Sequence, residues 1–229
     1  MAFLDFLKGI ARSILKDELN QTANPKEDEL NNKYPKVDMN YLRHETDGDY
    51  SVDVRNFYMI KDSNIPTVSG SDDEKALNSL KWVIDNIKYT PDSTSYKQAE
   101  YWAYPYQTLK HKTGDCEDGS ILLANIMIRS GIPYWKVRIT AGDVDDGKGN
   151  KGGHCFVVYY YEEGDYWVLL DWCYWNNTLK ISQRKNYKDE GYYKEIWFSF
   201  NEKYVFSTDE KSASKILGVK KCKTKKAKK

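Results

Sequence analysis

The chain has 229 residues, enough for one full domain with extensions. Lys and Arg total 35 against 34 Asp and Glu, a net charge of +1, so no overall field draws it to nucleic acid or an anionic membrane. Four cysteines without a short CxxC spacing and only three histidines argue against a structural zinc site, and no metal and no cofactor is expected.

Residues 3–19 read as an amphipathic helix. Phe3, Leu7, Ile10 and Ile14 fall on one stripe, widened by Phe6 and Leu15. The basic start and cleavage site of a signal peptide are missing, and no apolar run reaches the length of a membrane span. The expectation is a cytoplasmic or virion-associated protein with reduced thiols. Residues 20–70 read as a polar, irregular lead, with a strand between Tyr50 and Ile60. Ser71 and Glu74 then form a capping box for a helix bearing Leu77, Leu80, Ile84 and Ile87, which stops near Tyr89-Thr90-Pro91. The aromatic segment from Tyr96 to Leu109 is expected to wrap the helix that follows. That helix starts at Cys116, with Asp115 as its N-cap, and ends near Ser130 before Gly131 and Pro133.

Strand signals come next. Tyr134 to Ala141 alternates apolar and polar residues. The acidic, glycine-rich run Gly142–Asn150 reads as a mobile connector; it fails as a calcium loop because His154 stands where the bidentate Glu belongs. His154 to Tyr161 and Tyr166 to Asp171 form a hairpin closed by Glu162-Glu163-Gly164-Asp165. A last strand pair covers Tyr192 to Phe200 and Tyr204 to Ser207. The lysine-rich end, 209–229, reads as a solvated tail. Helices first and antiparallel strands after define an α+β class.

The chemistry concentrates at Cys116, His154 and Asp171. A thiol in the first turn of a helix meets unpaired N–H groups that favour a thiolate, while Asp115, Glu117 and Asp118 oppose it unless they face solvent. If the hairpin turn pairs Tyr161 with Tyr166, His154 lies opposite Cys173 and Phe156 opposite Asp171. His154 and Asp171 then become diagonal neighbours on one face, about 7 Å apart at Cβ. The same register puts Cys155 and Cys173 on opposite faces, which disfavours a disulfide. A nucleophile, a base and an orienter in this arrangement suit acyl transfer.

The runs Tyr101-Trp102-Ala103-Tyr104-Pro105-Tyr106-Gln107-Thr108-Leu109, Gly114-Asp115-Cys116-Glu117-Asp118, Gly153-His154 and Trp167-Val168-Leu169-Leu170-Asp171 resemble the transglutaminase-like superfamily of papain-related folds. The resemblance covers about 72–207. From the residues themselves, the chain divides into an N-terminal helical extension at 1–19, a linker at 20–70, a core at 71–208 and the tail at 209–229; the resemblance implies a core with a nucleophile helix packed on an antiparallel sheet. It implies Cys116 as nucleophile, His154 as base and Asp171 as orienter, with Gln107 and Trp102 as candidate oxyanion-hole donors. The expected activity is thioester-mediated acyl transfer on a peptide or protein substrate, as protease, amidase or transglutaminase. The alternative is a catalytically silent fold serving as a structural or adaptor component, for example of a phage particle. No specific nucleic-acid binding is expected, and the N-terminal helix and basic tail are the candidate docking segments for a partner.

Overall fold

Local signals in the chain account for most of its elements. The computed structural model describes residues 24–149, 151–173 and 179–207; the helix expected at 3–19 and the tail from 209 lie outside these residues. The chain divides into two units, 1–34 and 35–229. In the first, α1 (Pro25–Asn32) begins with proline, and the Asn24 side chain accepts the Lys26 N–H at 3.0 Å.

The second unit opens with β1 (Lys36–Val37), β2 (Asn40–Glu45) and β3 (Gly48–Asp53). The segment expected to be irregular therefore carries an antiparallel hairpin, Asn40 pairing with Asp53 and Glu45 with Gly48. The strand expected to reach Ile60 stops at Asp53, whose carboxylate accepts the Arg55 N–H and starts a 3₁₀ turn over Val54–Phe57. The hairpin escapes pattern reading because one inward residue is Arg43. Its buried guanidinium bonds Glu45, the Tyr101 hydroxyl, the Trp102 carbonyl and Gln107.

α2 (Asp72–Asn86) has the capping box its sequence announces: Ser71 Oγ accepts the Glu74 N–H and Glu74 Oε2 accepts the Ser71 N–H. β4 (Lys88–Tyr89) follows, then two short helices, α3 (Asp92–Ser95) and α4 (Pro105–His111). The aromatic segment thus contains a helix that aromatic density conceals. Pro105 sits at its first position, and the Gln107 side chain accepts the Tyr104 N–H at 2.9 Å. β5 (Thr113–Gly114) pairs in parallel with β4 and leads directly into α5 (Cys116–Arg129).

β6 (Val137–Asp145), β7 (Lys151–Tyr161), β8 (Tyr166–Leu170), β9 (Tyr193–Phe200) and β10 (Val205–Phe206) complete a six-stranded sheet in the order β1-β10-β9-β6-β7-β8. Every neighbouring pair in it is antiparallel. Residues 134–136 form a 3₁₀ turn and not the start of β6, which runs on to Asp145 through half of the expected connector.

α5 is buried all round from Glu117 to Met127. Its Ile121, Leu122, Leu123, Ile126 and Met127 share a core with Ala76, Leu80 and Val83 of α2 and with Cys155, Val157, Tyr159, Val168 and Leu170 of the sheet. Burying each such aliphatic side chain contributes about 1.5–3 kcal/mol. The alternate residues Phe156, Val158 and Leu169 pack with Tyr193 in a separate cluster.

The β6–β9 pairing is irregular on both sides of Gly142, which also lies opposite His154 on β7. A Cβ at Gly142 would stand 2.3 Å from the backbone carbonyl oxygen of Glu195. Backbone cannot yield as a side-chain tip can, so Gly142→Ala is expected to destabilise the protein by about 1–3 kcal/mol. Urea unfolding measures this; an unchanged midpoint would show that the bulge absorbs the methyl group.

Candidate active site

The predicted hairpin register is the one observed: Tyr161 faces Tyr166 and Val157 faces Leu170. Asp165 closes the turn with a left-handed φ of 56° and its N–H on the Glu162 carbonyl. One consequence lies past the end of β8. His154 Nε2 stands 2.6 Å from Asp171 Oδ2, and both residues are buried, at 3% and 1% exposure. An ionised carboxylate only accepts hydrogen bonds, so Nε2 carries the proton toward Asp171. Nδ1 is then the nitrogen that would exchange a proton with a thiol.

Asp171 is itself tightly held. Tyr193 donates its hydroxyl to Oδ2 at 2.6 Å, and the Cys173 N–H donates to Oδ1 at 3.0 Å. Burial pushes the Asp171 carboxyl up, but the bonds from His154, Tyr193 and the Cys173 N–H outweigh it and leave the group below its ordinary value. Sequence reasoning missed Tyr193, which arrives from β9 with no spacing signal. Cys173 was already placed opposite His154 by the register.

Cys116 is the first residue of α5 and is half-buried. β8 stops at Leu170, so the outer edge of β7 beyond Val157 has no strand partner in the ladder. α5 uses that edge. Ser120 Oγ donates to the Cys155 carbonyl at 3.1 Å, and the Cys155 N–H lies near enough to the Cys116 sulfur to favour its thiolate. The peptide that follows His154 thus lies beside the thiol. Trp172 crosses above, its indole N–H on the Cys116 carbonyl at 3.1 Å. Gly119 makes that crossing possible, because a Cβ there would lie 2.1 Å from Trp172 Cε2.

Gln107 and Trp102 take other roles. The Gln107 amide bonds Arg43, Tyr104 N–H and the Tyr101 hydroxyl. The Trp102 indole N–H bonds Glu100, and its ring stacks on Tyr41, Phe198 and Phe200. Offset along the chain says nothing about where an amide or indole N–H points, and neither donor is aimed at the thiol.

The acids around Cys116 do not face solvent. Asp115 occupies the N-cap position without a side-chain capping bond, and Glu117 and Asp118 are buried. The thiol donates to Glu117 Oε2 at 3.3 Å. Asp92 joins them from α3, and Glu100 stands at the exposed side. Asp118 Oδ1 accepts the Ala103 N–H at 2.7 Å, yet Asp92 Oδ1, Asp115 Oδ1, Glu117 Oε1 and Asp118 Oδ2 are buried without a hydrogen-bond partner. Carboxylate oxygens of Asp92, Asp115 and Asp118 lie within 4.8 Å of one another, as do those of Asp92, Glu100 and Glu117. Burial, and then the charge of Asp115, pushes the Asp92 carboxyl up to about 7. Burial drives Glu117 and Asp118 well above the ordinary carboxylate range. It raises the Cys116 thiol too, helped by Cys155 and Asp115. Hard oxygen donors left unpaired and crowded in this way fit a divalent cation such as Ca²⁺. The sequence showed three of these acids but not that Asp92 joins them or that they turn inward.

A thiol at the start of a buried helix, near a His–Asp pair on an antiparallel sheet, gives the α+β core its candidate site. Residues 63–172 match the family model described as the transglutaminase-like superfamily, so this core is similar to that superfamily. No curated protein matches the chain. Among solved structures, LapG of Legionella pneumophila is similar at 21% identity, with a TM-score of 0.47 over 66% of this chain and 75% of that one. Its calcium-bound form gives 20% identity and a TM-score of 0.45 over 59% and 68%. A structure described as a TGase gives 12% identity and a TM-score of 0.34 over 79% and 41%.

Proposed function

We propose that the chain is a cysteine-dependent acyl-transfer enzyme acting on an amide or peptide bond of a protein or peptide. The observation that carries this reading is the buried His154–Asp171 pair, with the Cys116 thiol close to the next peptide N–H of the same strand. In the reaction, His154 Nδ1 takes the thiol proton as Cys116 Sγ bonds to the substrate carbonyl carbon. The carbonyl oxygen becomes an oxyanion, which the unpaired N–H groups at the start of α5, Cys116's own among them, are placed to stabilise. Collapse breaks the carbon–nitrogen bond, and His154 returns the proton to the departing amine. The resulting thioester passes its acyl group to water or to a second amine, restoring the thiol. Incorporation of a labelled primary amine into a glutamine-containing protein tests the two outcomes. Incorporation marks a transferase, release of ammonia or peptide alone marks a hydrolase, and neither would remove the enzymatic reading.

Asp92, Asp115, Glu117 and Asp118 would hold a divalent cation, whose charge offsets the cost of keeping these carboxylates ionised beside the thiol. At a hundredfold excess over Kd, Ca²⁺ is expected to add about 2.7 kcal/mol, a rise in Tm of about 5–10 °C for a chain of this size. Thermal melts in Ca²⁺ and in EDTA check it. Asp118→Asn should shrink the difference, and equal melting temperatures in both would dismiss the site.

Among the described residues no helix is long and apolar enough to cross a membrane.

A further inference from the structure

A second group of donors lies on the other side of the thiol and differs in kind. His154 Nε2, an Asp171 carboxylate oxygen and Cys173 Sγ all lie within 4.8 Å of one another. Cys173 Sγ is 3.9 Å from His154 Nε2 and 3.3 Å from Asp171 Oδ1. In a tetrahedral zinc site, ligand atoms at ordinary bond lengths stand about 3.4–3.6 Å apart. The contact of Cys173 Sγ with Oδ1 is therefore already near coordination length, and that with Nε2 is a few tenths of an ångström longer. His154 Nε2 meets the other carboxylate oxygen, Oδ2, at 2.6 Å, so an ion would enter by parting imidazole and carboxylate by about an ångström. The backbone holds the set together: the Cys173 N–H fixes Asp171 Oδ1, so thiol and carboxylate are parts of one turn. Asp171 does not need the Cys173 side chain for its orientation, which His154, Tyr193 and that N–H already supply.

We propose that His154, Asp171 and Cys173 form a binding site for a thiophilic divalent cation of the Zn²⁺ type, and that filling it switches the base off. Imidazole, thiolate and one carboxylate suit such an ion, whereas the all-carboxylate group around Asp92 and Asp118 suits a hard one. The exchange balances simply. The ion forms bonds to Nε2, Sγ and a carboxylate oxygen. The Cys173 thiol proton is released to solvent, and the proton on Nε2 moves to Nδ1, because a metal-bound neutral imidazole keeps its one proton on the other nitrogen. Nδ1–H cannot accept the Cys116 proton, so the nucleophile loses its base without being touched. This consequence for activity rests on the acyl-transfer reading; the binding itself does not.

The experiment uses the full chain with Cys116→Ala and Cys222→Ser, in excess Ca²⁺ to occupy the carboxylate group. Titration with Co²⁺ is expected to give a thiolate-to-cobalt charge-transfer band at one equivalent, with Zn²⁺ displacing it. Adding Cys173→Ala should abolish the band and weaken Zn²⁺ binding by at least about tenfold, with the metal-free far-UV circular dichroism and melting curve confirming the fold. A band that survives Cys173→Ala, or one that appears only when Cys116 is present, would overturn the proposal by placing the ion elsewhere. In the protein retaining Cys116, micromolar Zn²⁺ should inhibit, and Cys173→Ala should blunt that inhibition. If no acyl transfer is found at all, the function fails while the Co²⁺ titration still decides the site.

Discussion

Cys116→Ala is expected to abolish acyl transfer, with kcat falling on the order of 10³-fold or more. The side chain lost is small and half-buried, and its hydrogen bond is a weak one, to Glu117 Oε2 at 3.3 Å. The fold should therefore survive, and circular dichroism with thermal melting would confirm it. Among the described residues the other thiols are poorly placed to take over, since Cys155 is buried and Cys173 sits on the Asp171 side of the imidazole. Amine incorporation and ammonia release are the readouts, with iodoacetamide labelling as a third. A Cys116→Ala protein that works at the parent rate would end the nucleophile assignment, whatever the geometry.

Asp171→Asn is the second large effect, expected to lower kcat by about 10³- to 10⁴-fold, the scale on which a misdirected imidazole tautomer acts. The substitution keeps the shape but turns one acceptor into an NH₂ donor. Two donors, the His154 Nε2–H and the Tyr193 hydroxyl, now converge on a single Oδ2. If the amide presents nitrogen there, both are opposed; if it presents oxygen, the NH₂ meets the Cys173 N–H. In the first case the proton is driven from Nε2 to Nδ1; in the second it stays on Nε2 but loses the carboxylate charge that stabilises the imidazolium. Acid stability should respond as well. Asp171 is held below its ordinary range, so the stability its charge supplies is present above the usual carboxylate pKa. That contribution disappears as pH falls through the lowered value, and Asp171→Asn should flatten this limb of a stability–pH curve. An unchanged rate with an unchanged acid limb would mean that Asp171 neither orients the base nor carries charge.

How much of this could be read from the chain varies with the range of the signal. The Ser71–Glu74 cap and the start of α5 are local, and both stand where the sequence puts them. The hairpin register is nearly as local, since four turn residues decide which side chains share a face. The pairing of His154 with Asp171 followed from that register. Failures came where the deciding partner is distant. Arg43 looks like a surface residue until Tyr101, Trp102 and Gln107 enclose it. That enclosure also engages the Gln107 amide, which bonds Arg43, Tyr101 and Tyr104. Where the carboxylates beside Cys116 point stayed open, because nothing in a helix start says that Asp92 will fold over it.

The turn from Glu162 to Asp165 carries a constraint that its exposed position hides. It touches neither the thiol nor the imidazole, and by ordinary reasoning a surface turn tolerates insertions. Yet strand faces alternate with every residue, so one inserted residue that shifted the pairing of β7 with β8 would swap Asp171 to the far side of the sheet from His154. Two inserted residues could restore it. Among descendants of this chain that keep the dyad, length changes at this turn should thus arrive in even steps, or come with a compensating bulge. The parity of a loop, and not the identity of any residue in it, becomes an inherited trait.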